Sequence, residues 1–226
     1  MKRLLVLRPE PGAAATLARA AAMGIEAVAA PLFTIAPIAW DAPDPAAFDA
    51  LMLTSANALR HGGRGLALYH GLPVYAVGEA TAAAARAAGF PCVRAGTSDA
   101  TELLGLLAAD RIGQVLHLAG REYREAANPA ITITRRIVYG ADPVAALPAA
   151  ATAALRQGAV ALLHSPRAAR LFAALVDAAA LPRDRTALAA ISHAAATTAG
   201  TGWRAAEIAS SPDDMTLLAA AARLCE

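Results

Sequence analysis

The chain has 226 residues, 57% of them hydrophobic and 17% charged, which is ample for one large or two ordinary domains and excludes a disordered chain. A net charge of +2 is too small to predict nucleic-acid binding from electrostatics. The two cysteines, Cys92 and Cys225, stand in no metal or redox spacing, so the chain reads as a cytoplasmic protein with reduced thiols. Arg3 to Leu7 is a short apolar run that predicts a buried strand, and Arg8-Pro9-Glu10 closes it too early for a signal peptide. The turn to Gly12 leads into a helix from Ala13 to Met23 that stops at Gly24, and Ile25 to Ala29 is a second strand. Pro31 to Ile38 is extended and proline-flanked, which suits an edge strand or a linker. Asp49 to Leu53 is a strand whose following helix opens at Ser55 and is interrupted by His61-Gly-Gly-Arg-Gly65. Pro73 to Val77 is a strand and Glu79 to Ala88 a helix. Cys92 and Val93 mark a short strand, and a helix to Ala108 is capped by Ser98 or Asp99, with Glu102 placed for a capping box. Gln114 to Leu118 is a strand followed by the turn Ala119-Gly-Arg121, and Ile131 to Tyr139 alternates as a strand. A helix runs from after Tyr139 through Ala149 to Gln157. Val160 to Leu163, Thr186 to Ile191 and Ala206 to Ala209 are strands, each followed by a helix, the last with Ser211 as cap and Pro212 at its first position. No apolar stretch is long and helical enough to span a bilayer.

The pattern occurs twice. Ala50-Leu-Met-Leu-Thr-Ser, Val74-Tyr-Ala-Val-Gly-Glu and Ser98-Asp-Ala-Thr-Glu in one half correspond to Ala161-Leu-Leu-His-Ser-Pro, Leu188-Ala-Ala-Ile-Ser-His and Ser211-Pro-Asp-Asp-Met in the other. Two copies of one α/β unit are expected, facing each other across a cleft. The first strands need the chain to return to them. The expected layout is therefore a discontinuous domain of residues 1–34 and 142–226, an inserted domain of 40–134, and two paired connector strands at 35–39 and 135–141. Both domains are expected to be doubly wound parallel sheets of flavodoxin-like type.

In such sheets ligands bind beyond the carboxyl ends of the strands. That places Arg8, Thr54, Ser55, Asn57, Gly78, Thr81, Gly120, Arg121, Ser165, Arg167 and Ser192 around a site for an anionic ligand, met by helix-start N–H groups and arginines. Taken singly, Thr54, Ser55 and Ser165 are ordinary helix caps, Gly78 and Gly120 turn glycines, Thr81 a plain helical residue, and Arg121 and Arg167 surface charges. Their shared position carries the reading. The histidines are not spaced as metal ligands, and no dinucleotide, phosphate-loop or nucleophile-elbow motif occurs. Tyr139 ends the second connector strand, either as a packing residue or as a positioned weak acid.

Leu7-Arg-Pro9, Leu53-Thr-Ser-Ala-Asn-Ala58, Ala76-Val-Gly-Glu-Ala-Thr81, His117-Leu-Ala-Gly-Arg121, Val138-Tyr139 and Leu163-His-Ser-Pro-Arg167 together resemble the uroporphyrinogen-III synthase family. The resemblance implies two α/β domains joined by a β-ladder, in a cytoplasmic monomer that uses no cofactor and no metal. It implies dehydration and cyclisation of hydroxymethylbilane, a carboxylate-rich linear tetrapyrrole, with inversion of the last ring to give uroporphyrinogen III. It places the family's functional tyrosine on Tyr139 as the proton donor, with the turn residues above as substrate ligands. Where family members carry a threonine after the Ile191-Ser-His turn, this chain has Ala195, and Thr197 or Thr198 substitutes only with a shift. A non-catalytic two-domain binder of an anionic small molecule, with no nucleic-acid or membrane partner, is the alternative left open.

Overall fold

The computed structural model describes residues 3–97 and 99–225; Ser98, one of the two expected helix caps, lies outside the described residues. In chain order the elements are β1 (Leu4–Val6), α1 (Gly12–Ala22), β2 (Ala27–Ala29), β3 (Phe33–Pro37), β4 (Ala50–Leu53), α2 (Asn57–His61), β5 (Val74–Val77), α3 (Glu79–Ala87), β6 (Val93–Gly96), α4 (Ala100–Ala109), β7 (Gln114–Gly120) and β8 (Thr132–Pro143). They continue with α5 (Ala149–Arg156), β9 (Val160–Leu163), α6 (Pro166–Ala178), β10 (Ala187–Ala190), α7 (His193–Ala199), β11 (Ala205–Ile208) and α8 (Asp214–Arg223). The chain splits into two compact units, unit 1 with Met1–Thr34 and Asp142–Glu226 and unit 2 with Ile35–Ala141.

Unit 1 carries a parallel sheet in the order β2-β1-β9-β10-β11, the flavodoxin-type order with its switch between β1 and β9. β1, β9 and β10 are buried along their whole length, as central parallel strands covered on both faces must be. Leu4, Val6, Val160 and Leu162 pack with α1 and α8 on one face. The alternate residues Leu5 and Ala161 are also fully buried. Alanine favours helix and lets a helix approach a sheet closely, which suits α1 with Ala13, Thr16 and Ala20 on its buried stripe.

Unit 2 carries a sheet in the order β3-β8-β7-β4-β5-β6. From β6 to β8 the strands are parallel and run in the dinucleotide-fold order, with the switch between β4 and β7. Leu51 and Leu53 face one core with Ala82 and Ala85 of α3, and Ala50 and Met52 face another with Leu103, Leu104 and Leu107 of α4. Truncating a fully buried leucine such as Leu51 to alanine removes about 3 kcal/mol. The two expected connector strands pair with each other, but not as a separate ribbon. β8 also pairs with β7, so both belong to this sheet. Ile38 N donates to Val138 O and Val144 N to Leu32 O, so β3 and β8 run antiparallel.

Local differences from the sequence reading have physical causes. Ala119 and Gly120 continue β7 rather than turning, because β8 offers them partners, and the turn begins at Arg121. β8 likewise runs on to Pro143, which delays the next helix to Ala149. Asp213, not Ser211, caps α8: its carboxylate reaches Thr216 N at 2.9 Å, while the Ser211 hydroxyl donates to Asp213. Glu102 accepts from the Thr97 N–H and hydroxyl, and Asp99 caps α4 through the Thr101 and Glu102 N–H groups. Among the described residues no helix is long and apolar enough to cross a membrane.

Candidate active site

The switch point of unit 2 opens into a cavity of about 360 Å³, bordered by Thr54, Ser55, Val77, Gly120 and Tyr139 together with the segment 122–126 and the start of α4. Pairing between β7 and β8 slips there by one residue: Ala119 faces Ile137, and Gly120 faces Tyr139. A bulge of this kind re-aims a side chain. The Tyr139 ring lies across Gly120, where a Cβ would stand 2.5 Å from Cζ and 2.7 Å from the hydroxyl oxygen. Glycine is therefore required by the tyrosine rather than by the backbone. Tyr139 packs on the core through its ring, with His61 tilted beside it at 6.2 Å.

Arg121 follows directly. Its N–H donates to Tyr139 O at 2.9 Å, and its guanidinium lies over Gly140, where a Cβ would come within 2.9 Å of Cζ. Thr54, Ser55, Gly120 and Tyr139 are thus gathered at one cavity, with Arg121 next to Tyr139 in the same unit. Asn57, Gly78 and Thr81 do not border it. The Asn57 N–H donates to Ser55 Oγ at 3.2 Å, and its side-chain Oδ1 accepts from Arg60 at 3.1 Å. Gly78 has φ +72°, a conformation glycine adopts freely, and its N–H is used by Gly96 O, so the helix-start amides of α3 begin at Glu79. Thr81 is buried in the first turn of α3. α2 is only five residues long, which leaves a weak helix end behind Ser55.

Acidic groups at the cavity are engaged: Asp99 as a helix cap, Glu122 accepting from Ala141 N at 3.4 Å, Glu125 paired with Arg135 at 3.3 Å. The Arg135 guanidinium stacks on Tyr123 at 3.9 Å, and its Nε donates to His117 Nδ1 at 3.2 Å. His117 is buried, and its Nε2 lies 3.2 Å from Thr54 Oγ1. Burial, reinforced by the Arg135 charge, lowers the His117 pKa to about 4, so the ring is neutral at pH 7. His117 opens the His117-Leu-Ala-Gly-Arg121 run, but nothing in the sequence singles out its side chain, and Arg135 and Tyr123 stand in no motif. Only the register that sets Arg135 opposite His117 connects them.

The expected residues of unit 1 have other occupations. Arg8 pairs with Asp214 at 3.5 Å, and the same carboxylate takes His164 Nε2 at 2.9 Å, Thr16 Oγ1 at 2.9 Å and Arg19 at 2.8 Å. Burial pushes Asp214 up, but the hydrogen bonds from His164, Thr16 and Arg19 outweigh it and hold the carboxyl below its usual range. Burial lowers the His164 pKa, against the upward pull of Asp214. Ser165 caps α6 by accepting from Ala168 N at 3.1 Å, and Ser192 caps α7 by accepting from Ala195 N at 3.3 Å. The Arg167 guanidinium lies 4.4 Å over the Phe33 ring. At the turn where the family threonine falls on Ala195, that residue is buried, and the Thr198 hydroxyl donates to Ala194 O at 2.7 Å. Among the described residues no group of three or more His, Cys, Asp or Glu is placed to hold a metal ion.

Residues 14–219 match the family model described as uroporphyrinogen-III synthase HemD. No curated protein matches the sequence. A crystal structure of uroporphyrinogen-III synthetase from Helicobacter pylori 26695 is similar in fold, with a TM-score of 0.68 at 18% identity over 99% of this chain and 100% of that one. The wild-type uroporphyrinogen III synthase of Thermus thermophilus aligns at 16% identity over 99% and 96% of the two chains, with a TM-score of 0.41. A mutant of the same Thermus thermophilus enzyme aligns at 18% identity over 97% of each, with a TM-score of 0.48.

Proposed function

Since the chain belongs to the uroporphyrinogen-III synthase family of cyclising lyases in tetrapyrrole biosynthesis, we propose that its chemistry takes place at the switch-point cavity of unit 2, with Tyr139 as proton donor. The observation that carries this reading is the seating of Tyr139 across Gly120 at the edge of that cavity. The bond to the hydroxyl of hydroxymethylbilane breaks with its electron pair on oxygen, and a proton from the Tyr139 hydroxyl completes water. The methylene cation left behind is attacked by the carbon of the last pyrrole ring that already bears its link to the chain. That link then breaks, leaving a cation on the neighbouring methylene, which the ring's other α-carbon attacks. Loss of that carbon's proton to the Tyr139 oxygen restores both the inverted pyrrole and the tyrosine. The uncatalysed closure uses the other carbon and gives the type I isomer.

A volume of about 360 Å³ holds part of a tetrapyrrole rather than the whole. The Thr54 and Ser55 hydroxyls border it, with Arg121 beside Tyr139, so carboxylate arms meet hydroxyl and guanidinium donors in the same unit. Holding a flexible linear substrate in a near-closed conformer lowers the barrier by orientation alone. Arg8, Asn57, Gly78, Thr81, Ser165, Arg167 and Ser192 are further candidate ligands for substrate carboxylates, on the strength of the family resemblance. The same resemblance supports a cytoplasmic enzyme that works as one chain without metal or cofactor.

The test is the product isomer. Hydroxymethylbilane generated in situ is given to the purified protein, and the oxidised porphyrins are separated. Type III product that scales with protein is expected. Type I alone, at the protein-free rate, would leave only a binding protein.

A further inference from the structure

We infer that His117 is a positioning residue, which turns the Thr54 hydroxyl into a hydrogen-bond donor aimed at a substrate carboxylate in the unit 2 cavity; this rests on the synthase reading above. His117 lies within β7, 2% exposed, between side chains from the two neighbouring strands. On one side Arg135 of β8 is its register partner, and Arg135 Nε donates to Nδ1 at 3.2 Å. On the other, Thr54 Oγ1 at the end of β4 stands 3.2 Å from Nε2.

The polarity of this chain follows from the donor inventory. A guanidinium has no acceptor, so Nδ1 must hold a lone pair toward Arg135. A neutral imidazole with Nδ1 as acceptor carries its proton on Nε2. Protonating Nδ1 would set one N–H against another, which agrees with a ring kept neutral by burial and by the Arg135 charge. Nε2–H therefore donates to Thr54 Oγ1. A hydroxyl that accepts on the histidine side sends its own proton elsewhere, and Thr54 opens onto the cavity. Arg135 is itself held by the Tyr123 ring and by Glu125, both of which border the same cavity. Without this relay a threonine hydroxyl rotates freely and offers lone pairs as readily as a proton. Lone pairs repel a carboxylate.

Two measurements decide the point. The first reads KM and kcat for type III product in His117→Leu, Thr54→Val and the double variant. Each single change is expected to raise KM for hydroxymethylbilane about tenfold while moving kcat much less, the size of one lost charge-assisted hydrogen bond. The double variant should then be no worse than Thr54→Val. His117→Gln offers an acceptor to Arg135 and a donor to Thr54, and should restore KM to near the wild-type value. KM losses that multiply in the double variant would overturn the proposal. The second measurement needs neither substrate nor variant: nitrogen chemical shifts of the histidine rings at pH 7. A neutral Nε2–H tautomer for His117 is expected. An Nδ1–H tautomer or a charged ring would overturn the relay even if the enzyme makes type III product. A wild-type protein that makes no type III product would instead refute the synthase reading, and leave the tautomer to be judged by itself. If His117→Leu does not fold, Thr54→Val, His117→Gln and the tautomer still decide.

Discussion

At the switch point of unit 2, between β4 and β7, Thr54, Gly120 and Tyr139 border an open cavity. At the corresponding point of unit 1, between β1 and β9, Asp214 reaches in from α8 and takes up Arg8, Thr16, Arg19 and His164. Both sheets obey the same rule for where donors converge. They differ in what answers those donors: in unit 1 a carboxylate of the chain itself, in unit 2 a space bordered by Thr54, Ser55 and Tyr139, whose carboxylates are taken up by a helix start, Ala141 N and Arg135. Each point also has a histidine with a different neighbour. His117 meets a cation and a hydroxyl, and His164 meets a carboxylate. A pair of similar folds thus separates into a structural hub and a candidate reaction site through a handful of side chains.

That comparison has breaking points. The largest effect expected is on stability in acid. The His117 pKa is depressed in the folded state, from the ordinary 6.5 to about 4. The unfolded chain therefore binds a proton that the folded one does not, and the stability present above pH 6.5 is lost as pH falls toward 4. The loss from this group is about 3 kcal/mol. His164 is shifted in the same direction and adds to it. Denaturant melts of wild type and His117→Gln between pH 7 and 4 should show a shallower decline in the variant. Parallel declines would remove His117 from the account.

Gly120→Ala comes next. Its new Cβ must displace the Tyr139 ring while the backbone stays relaxed. Turnover should fall about 100-fold with little change in melting temperature, as for a reacting group moved by an ångström. Full activity in this variant would mean that the ring's seat is unimportant. Asp214→Asn has the smallest effect of the three, about 2 kcal/mol, since Arg8 and Arg19 are partly exposed and water compensates them. Thermal unfolding should record that loss, while the isomer ratio stays that of wild type. A changed isomer ratio would show that the hub of unit 1 shares in steering the ring closure.

Much of this was legible in the residue order. Apolar runs ending in small polar turns located the carboxyl ends of β4, β5, β9 and β10, because strands buried on both faces leave no other pattern. Tyr139 was legible at the end of a strand and Gly120 in a turn, each by itself. Their contact was not, since it depends on a one-residue slip between β7 and β8 that no local signal encodes. The same holds for His117, which is an ordinary strand residue until register sets Arg135 beside it. Asp214 was hidden by the expected cap at Ser211, which placed the start of α8 too early and left the carboxylate as part of a generic first turn.

In the proposed reaction Tyr139 at the unit 2 cavity supplies the proton that starts ring closure. Tyr139→Phe keeps the ring over Gly120 and removes only the hydroxyl, so the ratio of type III to type I porphyrin from freshly generated hydroxymethylbilane tests it directly. Mostly type III product is expected from wild type, and from the variant a type III rate lower by about 100-fold, with type I rising toward the uncatalysed background. A Tyr139→Phe enzyme that makes type III product at the wild-type rate would contradict it.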